Sequence, residues 1–272
     1  MMSPSNSSIR FKRTILTHGG AGSDPKHSDG TMLAATIGMD LMATGKSAFD
    51  AVIDAVKVLE DDHRFNAGKG SQIRADGCTV QMDASCMMSD GAFGAVACIE
   101  NVKNPIDVAR EILLHSSNIF MVGAGALAFA KERQVTLTPS VDLADDNPPP
   151  SCDTVGAVAF DGVTFAAALS SGGLEKADIG RVGDVPLPGC GLFCGASGAV
   201  ACTGDGEFIA LKLLAREAYG WLEQGMSPEI AVKKALSLFD NSVDVGLIIV
   251  TENESAADSR NGMAWSYLTE DN

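Results

Sequence analysis

One junction in the chain combines a residue able to do chemistry with a setting able to activate it. The acidic, proline-rich stretch Asp142-Leu-Ala-Asp-Asp-Asn-Pro-Pro-Pro-Ser151 runs through Cys152 and Asp153 straight into the apolar run Thr154-Val-Gly-Ala-Val-Ala159. A threonine in a β-strand is ordinary; what singles out Thr154 is the linker in front of it. A threonine hydroxyl is a weak nucleophile and needs a base beside it. If the chain is cut between Asp153 and Thr154, the same residue carries the hydroxyl and a free α-amine. An α-amine has an ordinary pKa of about 7.7–8.0, so it serves as a base near neutral pH. The pattern predicts a hydrolase that works through an acyl-enzyme on Thr154.

Other chemistries fit less well. His18-Gly-Gly-Ala-Gly22 is similar to the oxyanion loop of esterases, but that design also needs Gly-x-Ser-x-Gly and a later histidine. The four histidines, 18, 27, 63 and 115, all precede the linker. Gly123-Ala-Gly-Ala-Leu-Ala128 mimics a dinucleotide fingerprint after the apolar run Ile119–Val122. With no evident βαβ unit around it, it reads as a close-packed helix start. Cysteines and histidines lack zinc-ligand spacing. Cys190 and Cys194 read as two buried thiols, and Cys152 has no acid–base partner in view.

The elements that position Thr154 follow from periodicity. Strand-like runs occupy 14–17, 79–82, 94–99, 154–160, 164–170, 199–203, 245–251 and 263–268, with a turn at Ser89-Asp90-Gly91. Helical spacing covers 30–43, 47–61, 104–114, about 125–133, about 207–224 and 227–240. Ser47 and Asp50 have the form of an N-terminal cap, and Pro105 suits a first helical turn. Residues 134–153 read as an exposed, mobile linker, and 172–198 as a glycine-rich stretch. The order of strands and helices points to a layered α/β domain spanning 1–272, and a four-layer αββα sandwich fits it.

Composition bounds the partners. The net charge is −15 with 46% hydrophobic residues and 29 glycines, so the chain reads as globular and lacks the positive footprint that nucleic acid or an anionic membrane requires. Residues 1–13 have no apolar core of a secretory signal, and no stretch is long enough to span a bilayer. Seven cysteines at irregular spacing point to reduced, buried thiols and a cytoplasmic location.

The motifs together resemble the plant-type asparaginase and isoaspartyl peptidase family of N-terminal nucleophile hydrolases. The resemblance rests on His18-Gly-Gly-Ala-Gly22, Asn66-Ala-Gly-Lys-Gly-Ser71, Met82-Asp-Ala-Ser85, Thr154-Val-Gly-Ala-Val-Ala159, Ser170-Ser-Gly-Gly173, Gly180-Arg-Val-Gly-Asp184 and Thr203-Gly-Asp-Gly-Glu207, in that order. It implies an αββα fold and self-cleavage into 1–153 and 154–272, the first ending in the linker 134–153. It implies that Thr154 is the nucleophile, with Ser171 as a second hydroxyl and Asn66 keeping the region in register. Thr203 and the Gly204 amide would form the oxyanion hole. Arg181 and Asp184, with Gly206, would bind the substrate's α-carboxylate and α-amine; read without the family, the charged pair is a surface ion pair. The backbone carbonyls of Leu59, Glu60, Asp62, Phe65, Ala67 and Lys69 match a loop that binds sodium in relatives, and no cofactor is implied for catalysis. The implied substrates are L-asparagine and β-aspartyl dipeptides, and the implied assembly is a homodimer of cleaved protomers. Asp153 and Ser171 depart from the usual glycine and threonine, and Cys86-Met-Met-Ser-Asp-Gly91 departs from the usual Met-Asp-Gly. The first two are similar to taspases, and Asp153 also to glycosylasparaginases. A taspase-like endopeptidase, a glycosylasparaginase-like amidase and an uncut, inactive binding module therefore stay open as alternatives.

Overall fold

The computed structural model describes residues 12–144 and 154–270. The first half runs β1 (Thr14–Ala21), α1 (Ser28–Ala43), α2 (Ala48–Asp61), β2 (Met82–Met88), β3 (Phe93–Ile99), α3 (Pro105–His115), β4 (Phe120–Val122) and α4 (Gly123–Glu132). The second runs β5 (Val155–Phe160), β6 (Phe165–Ser171), β7 (Leu192–Gly195), β8 (Gly198–Gly204), α5 (Gly206–Lys212), α6 (Leu214–Glu223), α7 (Pro228–Ser237), β9 (Val245–Val250), β10 (Ser255–Ser259) and β11 (Met263–Thr269).

Seven strands pair in the order β11-β1-β5-β6-β2-β3-β4 and four in the order β10-β9-β8-β7. The sheets face each other, with α1–α4 on the outside of the larger and α5–α7 on the outside of the smaller. This is the expected αββα sandwich. Strand alternation explains the layers. On β5, Val155, Ala157 and Ala159 point to α1–α4, while Val158 and Phe160 point to the other sheet. On β8 and β9, Ala199, Ala201, Ile248 and Val250 face the large sheet, while Val200, Cys202, Leu247 and Ile249 face α6 and α7. Each fully buried Val or Leu contributes about 1.5–3 kcal/mol.

Local signals account for the helices that hold the site. Ser47 Oγ accepts from Asp50 N at 3.1 Å, and the Asp50 carboxylate accepts from Ser47 N at 3.3 Å, a reciprocal cap worth about 1 kcal/mol. Ala48, Ala51, Val52, Ala55, Val56 and Leu59 then bury one face of α2 against β5 and β6.

Five expectations need correction. The strand expected at 79–82 begins only at Met82: a turn over 75–78 is closed by Asp76, which accepts from Thr79 N at 2.9 Å, and 79–81 leave it without strand pairing. The helix expected across 207–224 is two helices, broken at Leu213, which adopts φ +49°. Residues 172–198 include the strand β7. Gly123 does follow a parallel β3–α3–β4 crossover. Yet a Cβ at Gly123 would touch only Cys98 O, at 4.0 Å, and one at Gly125 would meet nothing, so this helix start is not close-packed. The linker is anchored at its front. Ser140–Asp142 forms a single turn, Leu143 is 2% exposed within the helix-side core, and Leu143 O accepts from Gly70 N at 2.7 Å. Its remainder, with Cys152 and Asp153, lies outside the described residues.

Cys190 and Cys194 are buried free thiols as expected, along with Cys86 and Cys202. Cys78 is exposed and Cys98 half-buried, contrary to a uniformly buried set. Among the described residues no helix is long and apolar enough to cross a membrane.

Candidate active site

Thr154 immediately precedes β5 and is 3% exposed. Antiparallel pairing sets Val155 opposite Ser170 and Asp83 opposite Ser171, so the ends of β5, β6 and β2 converge. The Thr154 φ is +47°. A β-branched residue is an outlier in this left-handed region, at a cost of about 1–3 kcal/mol. The strain lies on the residue whose amide bond the sequence marks for cutting, and an N-terminal residue has no φ constraint.

Thr154, Ser171, Arg181, Asp184, Gly204 and Gly206 line one narrow cleft. Thr203 and Asn66 lie behind the lining, 0% and 1% exposed. Asn66 Nδ2 donates to Gly173 O at 2.7 Å, and Gly172 N donates back to Asn66 O at 3.0 Å. This exchange locks the turn after Ser171, where Gly173 N also donates to Ser171 Oγ at 3.2 Å. The Asn66 Oδ1 acceptor is buried without a partner among the described residues.

The glycine-rich end of β1 supports the opposite side. Ala21 N donates to Thr203 Oγ1 at 3.0 Å, so this segment fixes a hydroxyl at the end of β8. Gly204 follows at φ +130°, and a Cβ there would collide with Asp244 O. Only glycine lets the backbone turn here with its amide beside the cleft. His18, on the same strand, lies opposite Gly156 and fills the space that residue leaves. Burial holds the His18 pKa down to about 3, so it is a neutral packing group.

Arg181 is paired with Glu207. Its Nε and Nη2 donate to the two Glu207 carboxylate oxygens at 2.8 and 2.7 Å, a bidentate contact on one edge of the guanidinium. The Arg181 side chain is 19% exposed and that of Glu207 59%, so the pair closes the cleft mouth rather than decorating a remote surface. Asp184 is 3% exposed, and a Cβ on Gly206 would come within 2.8 Å of its Oδ1. Sequence reasoning missed Asp83, Gly173, Leu174, Gly183, Val185, Asp205 and Glu207 as lining residues. Asp83 and Glu207 stand inside motifs already quoted, which was the available signal. Asp83 is almost wholly buried, and desolvation pushes its pKa up to about 6.

Among the described residues the cleft lining includes no histidine and no lysine. Among the described residues no cluster of three or more His, Cys, Asp or Glu could hold a metal. A carbonyl site is a separate matter. At Gly68 (φ +51°) a Cβ would come 2.5 Å from Glu60 O, and at Gly70 (φ +117°) 2.5 Å from Phe65 O. The loop is thus wound tightly around its own carbonyls, and such a donor set suits a hard cation. Leu59 O, Glu60 O, Asp62 O and Phe65 O each also accept one backbone N–H. The Glu60 side chain plays a different part: burial raises its pKa to about 8, and it accepts from Ile106 N at 3.0 Å.

The family model described as asparaginase matches residues 11–148 and 142–272. A plant-type L-asparaginase of Pyrococcus horikoshii is 35% identical over 293 residues, covering 93% of this chain and 95% of its own. An isoaspartyl peptidase/L-asparaginase of Xenopus laevis is 36% identical over 292 residues, covering 96% and 94%. One of Rattus norvegicus is 36% identical over 277 residues, covering 90% and 82%. With a family match along almost its whole length and relatives of this identity across it, the chain belongs to the asparaginase family.

Proposed function

We propose that the protein is a self-processing amidohydrolase that converts L-asparagine to aspartate and ammonia and cleaves β-aspartyl dipeptides. The observation that carries this reading is the cleft itself. A strained, buried threonine and a bidentate-capable arginine line the same pocket, with no histidine or lysine among its described lining residues. The names of the relatives, L-asparaginase and isoaspartyl peptidase, support the same substrates.

In the proposed reaction, cutting before Thr154 yields 1–153 and 154–272 and frees the α-amine. The amine takes the hydroxyl proton, and Oγ1 attacks the side-chain amide carbonyl. Thr203 Oγ1 and the Gly204 N–H stabilise the oxyanion. The amine then passes its proton to the leaving nitrogen, and water hydrolyses the ester to release aspartate. Arg181 takes the α-carboxylate and Asp184 the α-ammonium, with the Gly206 backbone beside them. Ser171 stands next to the nucleophile, and Asn66 holds the turn that carries it. Sodium held by the carbonyls of Leu59, Glu60, Asp62, Phe65, Ala67 and Lys69 would stiffen the loop bearing Asn66. Exchange of sodium for tetramethylammonium should then lower the melting temperature, and an unchanged value removes the ion from the account.

The experiment is a side-by-side assay of asparagine, β-aspartyl-leucine and an unfolded protein substrate, with Thr154→Ala as control. Turnover of the first two, lost in Thr154→Ala, is expected. Cleavage of the protein alone points to an endopeptidase, and an uncut chain without turnover to a binding module. The family reading also implies a cytoplasmic homodimer, which the six free cysteines among the described residues support as to compartment and sedimentation would check as to assembly.

A further inference from the structure

Beneath the cleft lies a buried cation to which the proposed reaction gives no role. Arg74 is 1% exposed and heads the fully buried side chains by volume. Its Nε and Nη1 have no partner among the described residues. A guanidinium in this state is a poor choice for stability alone, because desolvation of a charge is offset only by good pairing. Its contacts point elsewhere. Nη2 donates to Gln81 O at 3.1 Å and to Arg181 O at 3.2 Å. The guanidinium packs on Gly173, where a Cβ would come 3.0 Å from Cζ, Nη1 and Nη2.

Two neighbours extend the same support. Gln81 Oε1 accepts from Gly180 N at 2.8 Å. Asp83, whose charge offsets that of Arg74, accepts from Cys98 N at 2.8 Å and more loosely from Gly183 N at 3.5 Å. The backbone at 180, 181 and 183 is therefore held from below, and the same cation touches the turn that follows Ser171.

We infer that Arg74 is a positioning residue for the α-carboxylate clamp. It pins the Arg181 carbonyl against the Gly173 turn, so the Arg181 side chain keeps its reach relative to Thr154. Lysine does not replace it, because a point ammonium lacks the planar surface that packs on Gly173. The inference rests on the proposed amidohydrolase reading.

The test uses the mature enzyme, Arg74→Met and Arg74→Lys, with L-asparagine and with its α-amide, which lacks the α-carboxylate. Both variants should raise KM for asparagine by about tenfold or more while kcat changes by less than about threefold. Kinetics on the α-amide should be unchanged. An equal loss on both substrates, or a fall in kcat at constant KM, overturns the inference. If neither variant folds, Gln81→Met removes the acceptor for Gly180 N, together with the Gln81 Nε2 contact to Glu100, and is read in the same way: a rise in KM confined to asparagine supports the inference, and no rise overturns it. A wild type that hydrolyses neither substrate marks failure of the functional reading instead. Calorimetric binding of L-aspartate then reads the clamp directly, and equal affinities of wild type and Arg74→Met overturn it.

Discussion

Thr154 and Ser171 stand at the ends of β5 and β6, among Ala, Gly, Val and Leu, where backbone pairing does the positioning. Arg181, Asp184 and Glu207 come from a loop and a short helix start, where charges hold one another. The nucleophile wall is dry and has a histidine only in neutral form; the anchoring wall is ionic and reaches solvent at its mouth. The difference follows from the two tasks. Attack needs a fixed hydroxyl and an oxyanion site that do not reorganise. Capture of a zwitterion needs charges that can exchange an internal partner for the substrate.

The contrast can be broken from either side. The largest effect is expected at Gly204→Ala. The new methyl meets Asp244 O at a φ of +130°, so the oxyanion amide shifts and kcat falls by about 10²–10³, while KM for asparagine moves little. A rise in KM at constant kcat would place Gly204 on the binding wall instead.

His18 tests whether the nucleophile wall is as dry as claimed. Its pKa is ordinary, about 6.5, when unfolded and held near 3 by burial when folded. The unfolded chain therefore takes up the proton first. Stability from a neutral His18 is fully present above pH 6.5 and is lost as pH falls toward 3, at up to about 1.4 kcal/mol per pH unit. Urea denaturation of wild type and His18→Asn at several pH values should show a shallower acid loss in the variant. Parallel curves would mean that His18 titrates normally.

The smallest effect is expected at Glu207→Gln on the ionic wall. It removes the carboxylate that competes for Arg181, so KM for asparagine should fall by about two- to fivefold, the scale of a half-exposed ion pair. A rise would recast Glu207 as a residue that orients Arg181.

How far each wall was legible in the sequence mirrors the same contrast. Val155–Phe160 and Val245–Val250 are continuous apolar runs, and a strand buried on both faces reads that way. Ser255–Ser259 is half-exposed at a sheet edge and has too few apolar residues to be seen. Leu192–Gly195 hides among glycines because only its pairing with β8 defines it. The break at Leu213 escaped because the apolar spacing continues through it. On the binding wall, Arg181 and Asp184 were visible as a motif. The Arg181–Glu207 contact spans 26 residues, and the burial of Arg74 depends on Gly173 and Arg181 closing over it, so local pattern carried no trace of either.

The central claim is that the chain makes its own nucleophile. Intact-mass analysis of purified wild type and Thr154→Ala, followed through incubation at neutral pH, tests it most directly. The account predicts two fragments from the wild type, divided between Asp153 and Thr154, and a single uncut chain from the variant. Active wild type that remains one chain, or a variant that cuts at the same bond, would contradict it.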